Sequence, residues 1–465
     1  MSDDGAPSLG RWAWLALLVA CGTVLLADVN RFLPEAAERY VNVTGIGSSD
    51  LIPSLNAALA LRSGQNPYHS DPVRLPDPYA ASRGAEEHVT FLYPPSHMLV
   101  YLPVVYFAGH NFVPAARFQF FVGLIAIVVL ALALLDLLCA ALPISPDLRP
   151  ALLALFVFVL GANPGNLLGL ERGQSDIVTA ALCWWGVAAF RRERFGSAAF
   201  LLMASTLLKG YGLSVATGLL LLSLRRHAWR RALLGALLAI LLLLAPVARY
   251  LPDAIAVYPI RARMFWSGWT NQSFYNLVYI FNPHYAAIGR YVLVGIACAI
   301  ALLTWFRLRR VLQVTANASE RAMALGRFTT AALIPLVAGS FNSIAYNGVL
   351  VLPGALLIAM THGRLDSPAR SPLAKHLLGA LVVVTLFGLC AFSAARLFGR
   401  GYARELPTHA AGLVGLMLLI ALSSLRRAVR VRQCAASLPP RPAQIRIPGA
   451  PTTRNGLISE RPVAD

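Results

Sequence analysis

Apolar stretches of about 18 residues or more recur from one end of this 465-residue chain to the other, and that recurrence limits the fold more than any other feature. A soluble core has no room for so much apolar chain. With 57% hydrophobic and 13% charged residues and a mean hydropathy of +0.62, the sequence predicts an all-α, polytopic membrane protein, since a helix satisfies its own backbone polar groups inside lipid. The apolar pattern fits helices at 12–28, 118–141, 150–163, 174–190, 196–208, 211–224, 232–248, 290–306, 328–341, 347–361, 377–396 and 408–424. Residues 92–108 fit a membrane-dipping helix or helix pair that starts at Pro94-Pro95, where proline suits a first turn. The total is about twelve crossings, with the parity around 92–163 left open.

The formal net charge of +19 does not point to nucleic acid, because the arginines fall in short clusters between apolar runs, where membrane topology explains them. Arg191, Arg192 and Arg194, then Arg225, Arg226, Arg230 and Arg231, then Arg307, Arg309 and Arg310, then Arg364, Arg370 and Lys375 mark cytoplasmic loops. Residues 29–91 carry five arginines against seven acids and belong outside. A second outer loop, 249–289, breaks the charge rule with Arg249, Arg261 and Arg263 against Asp253 alone. The organisation is therefore a transmembrane domain over 1–424 and a basic, proline-rich cytoplasmic tail over 425–465 that reads as disordered. The first apolar run lacks a small-residue cleavage site after it and reads as a retained helix.

Six scattered cysteines and nine histidines show no metal-ligand spacing, and no Asp-x-Asp lies in an outer loop, so neither a metal nor another cofactor is expected.

Asp50 stands out, an acid placed just beyond the first apolar run and therefore costly to desolvate. It reads as a helix N-cap before Leu51-Ile52-Pro53 or as a catalytic base. Gly64-Gln65-Asn66-Pro67-Tyr68 reads as a turn closing a short helix. Lys209, one of only two lysines, falls at the outer end of an apolar helix, as a snorkelling side chain or a phosphate ligand. Arg261 and Arg263 suit either a phosphate clamp or lipid headgroups. Gly173-Gln174 reads as a solvated connection with a local ion pair among Glu171, Arg172 and Asp176.

Taken in order, the acid after the first helix, the Gly-Gln-Asn-Pro-Tyr element, Phe91-Leu92-Tyr93-Pro94-Pro95, Gly173-Gln174, Lys209 and Asn271-Gln272-Ser273 resemble glycosyltransferase family 87 over roughly residues 12–424. These are integral-membrane enzymes of GT-C type that include mycobacterial polyprenol-phosphate-mannose-dependent mannosyltransferases. The resemblance implies inverting transfer of a mannose-like hexose from a polyprenyl-phosphate donor to a lipid-linked or glycan acceptor. It implies a bacterial inner membrane, and the arginine clusters, with Arg426, Arg427, Arg430 and Arg432 in the tail, put the active site outside and the C-terminus in the cytoplasm. The resemblance matches Asp50 to the family's essential carboxylate, acting as general base, and makes Lys209, Arg261 and Arg263 the donor-phosphate ligands, and Asn66, Tyr68, Tyr93, Gln174, Asn271, Gln272, Tyr346 and Asn347 the sugar and acceptor contacts. One departure concerns the stretch Ser340–Asn347, where the family often carries a tryptophan and a histidine pair. A lipid-linked-sugar flippase or a non-catalytic polyprenyl-phosphate-binding membrane protein is the alternative.

Overall fold

The computed structural model describes residues 51–68, 91, 93–109, 112–163, 166, 169–170, 173–224, 228–263, 273–313, 317–339, 345–361, 379–382, 385 and 412–422. All of them belong to the unit Met1–Ser423. Asp50, Asn271, Gln272, the first apolar run and the 425–465 tail lie outside the described residues.

Every described element is helical, and no strand occurs among the described residues. The helices are α1 (Leu51–Arg62), α2 (Met98–Ala108), α3 (Phe112–Ala141), α4 (Arg149–Ala162), α5 (Asp176–Arg191), α6 (Phe195–Lys209), α7 (Leu213–Leu224) and α8 (Trp229–Ala239). They continue as α9 (Leu251–Arg263), α10 (Phe274–Phe281), α11 (Ala286–Gln313), α12 (Ala318–Ala338) and α13 (Leu352–Met360). Residues 412–422 form a further helical segment. Between α8 and α9 the chain stays helical but changes winding, through a π segment at Ile240–Leu244 and a 3-10 segment at Ala245–Tyr250.

The long α3 packs against α4, α5 and α12, and α6 lies between α5, α7 and α8. Trp184 on α5 is fully buried at the centre, and its indole Nε1 donates to the Leu350 carbonyl at 2.7 Å, which gives the one polar atom of that side chain a partner. Small residues set the closest approaches. A Cβ on Gly235 of α8 would sit 2.0 Å from the Gly196 carbonyl oxygen of α6, so these two backbones nearly touch.

Apolar side chains also face outward. Leu233, Leu234, Leu237, Leu238 and Leu241 on the α8 run, and Ile288, Tyr291, Val292, Ile296 and Leu302 on α11, are exposed. Such faces are stable only in lipid. Three described helical runs, Arg117–Ala141, Trp229–Val257 and Pro283–Gln313, are long and apolar enough to cross a membrane. Shorter apolar helices accompany them at Pro95–Ala108, Phe195–Lys209, Leu213–Ser223, Gly348–Met360 and Gly412–Leu422.

Local chemistry explains most helix ends. Asn317 caps α12 by accepting from the Glu320 N–H at 2.8 Å, so the helix begins ten residues before the apolar run at 328. Ser273 caps α10 in the same way through the Asn276 N–H. The segment 249–289, read from sequence as a loop, carries α9 and α10. Pro252 and Pro259 and the scattered charges hide the first of these from an apolar pattern.

Candidate functional site

Two helix ends meet a pair of turns at one end of the bundle. α5 and α6 form an antiparallel hairpin joined by Arg192–Arg194, so the start of α5 lies beside the end of α6. At the opposite end, Asp136 of α3 accepts from Arg191 at 2.8 Å and from Arg192, which pins the connection.

Asp176 is the first residue of α5 and Lys209 the last of α6. Their side chains form an ion pair with Nζ to Oδ2 at 2.7 Å, at 0% exposure for the carboxylate and 2% for the lysine. Each charge complements its own helix dipole, negative at an N-terminus and positive at a C-terminus. Lys209 Nζ also donates to Gln174 Oε1 at 2.8 Å and lies 4.8 Å from the centre of the Tyr93 ring. The Tyr93 hydroxyl stands 3.5 Å from the same Gln174 oxygen.

The turn that carries Gln174 is shaped by glycine. Gly173 has φ +64, and the bonds Gln174 N–H to Gly169 O and Gly173 N–H to Leu170 O close the preceding helical turn. A Cβ on Gly173 would meet Leu51 Cδ1 at 2.9 Å, so the first residue of α1 rests directly on this turn. Gln174, Ser175 and Asp176 are all buried. The sequence reading of a solvated connection is thus corrected, because a lysine from α6, 33 residues away, compensates Asp176 inside the protein.

The Tyr93–His97 segment covers the end of α6. The last carbonyls of a helix have no partner within it. Here the Ser96 hydroxyl donates to the Leu207 carbonyl, and His97 Nδ1 lies 3.3 Å from the Leu208 carbonyl and 3.3 Å from Ser175 Oγ. The His97 ring is buried and stacks on Tyr93 with centroids 4.2 Å apart. Sequence reasoning missed His97, because a lone histidine four residues from a tyrosine has no spacing signal. Its closeness to Pro94-Pro95 was the available clue.

The Asn66–Tyr68 turn joins the group from the other side. Gly64, at φ +72, ends α1 through the bonds Gln65 N–H to Ala60 O and Gly64 N–H to Leu61 O, as the sequence predicts. Asn66 Oδ1 accepts from the Tyr68 N–H at 3.0 Å, and its Nδ2 donates to Asp253 of α9 at 2.9 Å. The Tyr68 hydroxyl donates to the Tyr93 carbonyl. Burial, and then the nearby Asp253 charge, push the Tyr68 phenol well above its usual range, which keeps it a donor.

The structure therefore brings Asn66, Tyr68, Tyr93, Gln174 and Lys209 into one connected group and adds His97, Ser175 and Asp176. Arg261 and Arg263 fall on the last turn of α9, and Tyr346 and Asn347 in a 3-10 segment, Ala345–Leu350, with only their backbone described. No group of three or more potential metal-binding side chains occurs among the described residues.

Two crystal structures of ArnT from Cupriavidus metallidurans are similar to this chain at 14% identity. One, bound to undecaprenyl phosphate, matches with a TM-score of 0.37 over 94% of this chain and 82% of its own. The other, in the apo state, matches with a TM-score of 0.32 over 93% and 82%. No curated protein matches. The model of glycosyltransferase family 87 matches residues 91–335, a little over half of the chain, from Phe91 through the Gln174, Asp176 and Lys209 group and beyond α9. By that match this helical membrane protein belongs to glycosyltransferase family 87.

Proposed function

We propose that the protein is a GT-C type hexosyltransferase with about twelve crossings. It moves a mannose-like hexose, with inversion, from a polyprenyl-phosphate donor to a lipid-linked or glycan acceptor outside the bacterial inner membrane. Asp50 is the general base. The acceptor hydroxyl gives its proton to Asp50 while its oxygen attacks the anomeric carbon, and the bond from that carbon to the phosphate oxygen breaks. Phosphate leaves as an anion and needs no strong acid. A single displacement with one carboxylate inverts the anomeric centre.

The observation that carries this reading is the contact between Leu51 and Gly173. Leu51 follows Asp50 in the sequence, and Gly173 precedes Gln174. That contact supports the reading by bringing the start of α1, which follows Asp50 in the sequence, against the turn that carries Gln174. Arg261 and Arg263 supply the cationic side of the site, and Lys209, paired with Asp176, stands behind Gln174. Asn66, Tyr68, Tyr93 and Gln174, with Asn271, Gln272, Tyr346 and Asn347, supply its polar lining.

Purified protein in lipid nanodiscs, given labelled polyprenyl-phosphate hexoses and candidate acceptors, tests the proposal. Label that moves to an acceptor supports it. Binding without turnover favours a flippase or a non-catalytic lipid-binding protein.

A further inference from the structure

An ammonium group has three donors and no acceptor, so the oxygen of a neighbouring amide must face it. Lys209 Nζ at 2.8 Å therefore fixes Gln174 with its carbonyl turned inward. The amide is planar, and its two Nε2 protons then point away from the lysine. Among the described residues none accepts from Nε2.

Lys209 is itself held. Its pairing with Asp176 is nearly dry, and burying two charges costs more free energy than an apolar pair of similar volume would. Charge balance matters too. With Asp176 at 2.7 Å, the lysine is a neutralised cation and a weak attractor for a second anion. A donor-only amide face has no such conflict.

We infer that Asp176 is a positioning residue: through Lys209 it orients the Gln174 amide so that its N–H face meets an anionic oxygen of the donor phosphate. The inference rests on the glycosyl-transfer reading for the identity of that phosphate. In it Lys209 orients Gln174 and does not itself grip the ligand.

Binding of undecaprenyl phosphate, with uncharged undecaprenol as control, tests this in nanodiscs with wild-type protein and with Gln174→Glu, Asp176→Asn and Asp176→Glu. Gln174→Glu keeps the oxygen facing Lys209 but replaces the N–H face with an acceptor. It should weaken phosphate binding about 10- to 100-fold, the range for one charge-assisted hydrogen bond, while thermal stability holds. A structural role alone would leave binding intact. Asp176→Asn should weaken binding about tenfold, with recovery in Asp176→Glu. Tighter binding in Asp176→Asn would make the freed Lys209 charge the ligand and overturn the inference, as would unchanged binding in Gln174→Glu. If Asp176→Asn fails to fold, Gln174→Glu decides alone. Wild-type binding no better to the phosphate than to the alcohol also overturns it. Phosphate-specific binding that Gln174→Glu weakens, without sugar transfer by the wild type, sinks the transferase reading and leaves this inference standing.

Discussion

Asn66 and Asp253, 187 residues apart, are joined by a 2.9 Å hydrogen bond that ties the turn after α1 to α9. The same asparagine orders its own turn through the Tyr68 N–H. Asn66→Ala should therefore cost about 1–2 kcal/mol of stability, read as a lower melting temperature in detergent. Asn66→Asp should cost more at neutral pH, because it sets a second carboxylate against Asp253. The sign of its pH dependence is fixed: two ionised acids repel, so this variant gains stability relative to wild type as pH falls through the carboxylate range, below about 5.

Asp50→Ala should lower transfer by about 10²- to 10⁴-fold, the usual worth of a general base, with membrane expression unchanged. Radiolabel transfer by the purified variant is the measurement. A variant that retains most of its activity removes Asp50 from the mechanism.

Gly173→Ala should be damaging for two separable reasons. The position has φ +64, and the new methyl would meet Leu51 at 2.9 Å. Strain and overpacking together predict a loss of about 2–4 kcal/mol. Adding Leu51→Ala relieves the clash and leaves the strain, so the double variant should regain part of what Gly173→Ala loses beyond the cost of Leu51→Ala itself. No recovery in thermal melts would mean that the two residues do not touch.

Gly235→Ala should separate α6 from α8, since the obstacle is the Gly196 backbone at 2.0 Å and backbone cannot rotate away. A loss of about 1–3 kcal/mol or more is expected, seen as a reduced melting temperature and lower yield of folded protein.

Sequence reading found the helices where apolar length alone defines them. The runs near 118–141, 196–208 and 290–306 fall within α3, α6 and α11. It did not find α9 or the early start of α12, because Pro252, Pro259 and the Asn317 cap act through backbone geometry and single hydrogen bonds rather than through apolar pattern. At the site the reading picked out Lys209 and Gln174 by residue rarity and resemblance. The partnership of Lys209 with Asp176 escaped it, since the two lie 33 residues apart and meet only when α5 and α6 form their hairpin. His97 escaped for a similar reason: its neighbours Ser175 and Leu208 come from the residue before α5 and the end of α6.

The brevity of the Arg192–Arg194 connection bears on how the chain enters the bilayer. Either α5 or α6 alone would carry a bare charge at its end toward the edge of the hydrocarbon. With three residues between them, the two spans can leave the translocation channel side by side, with Lys209 already against Asp176. Lipid then meets a compensated pair and neither ion by itself.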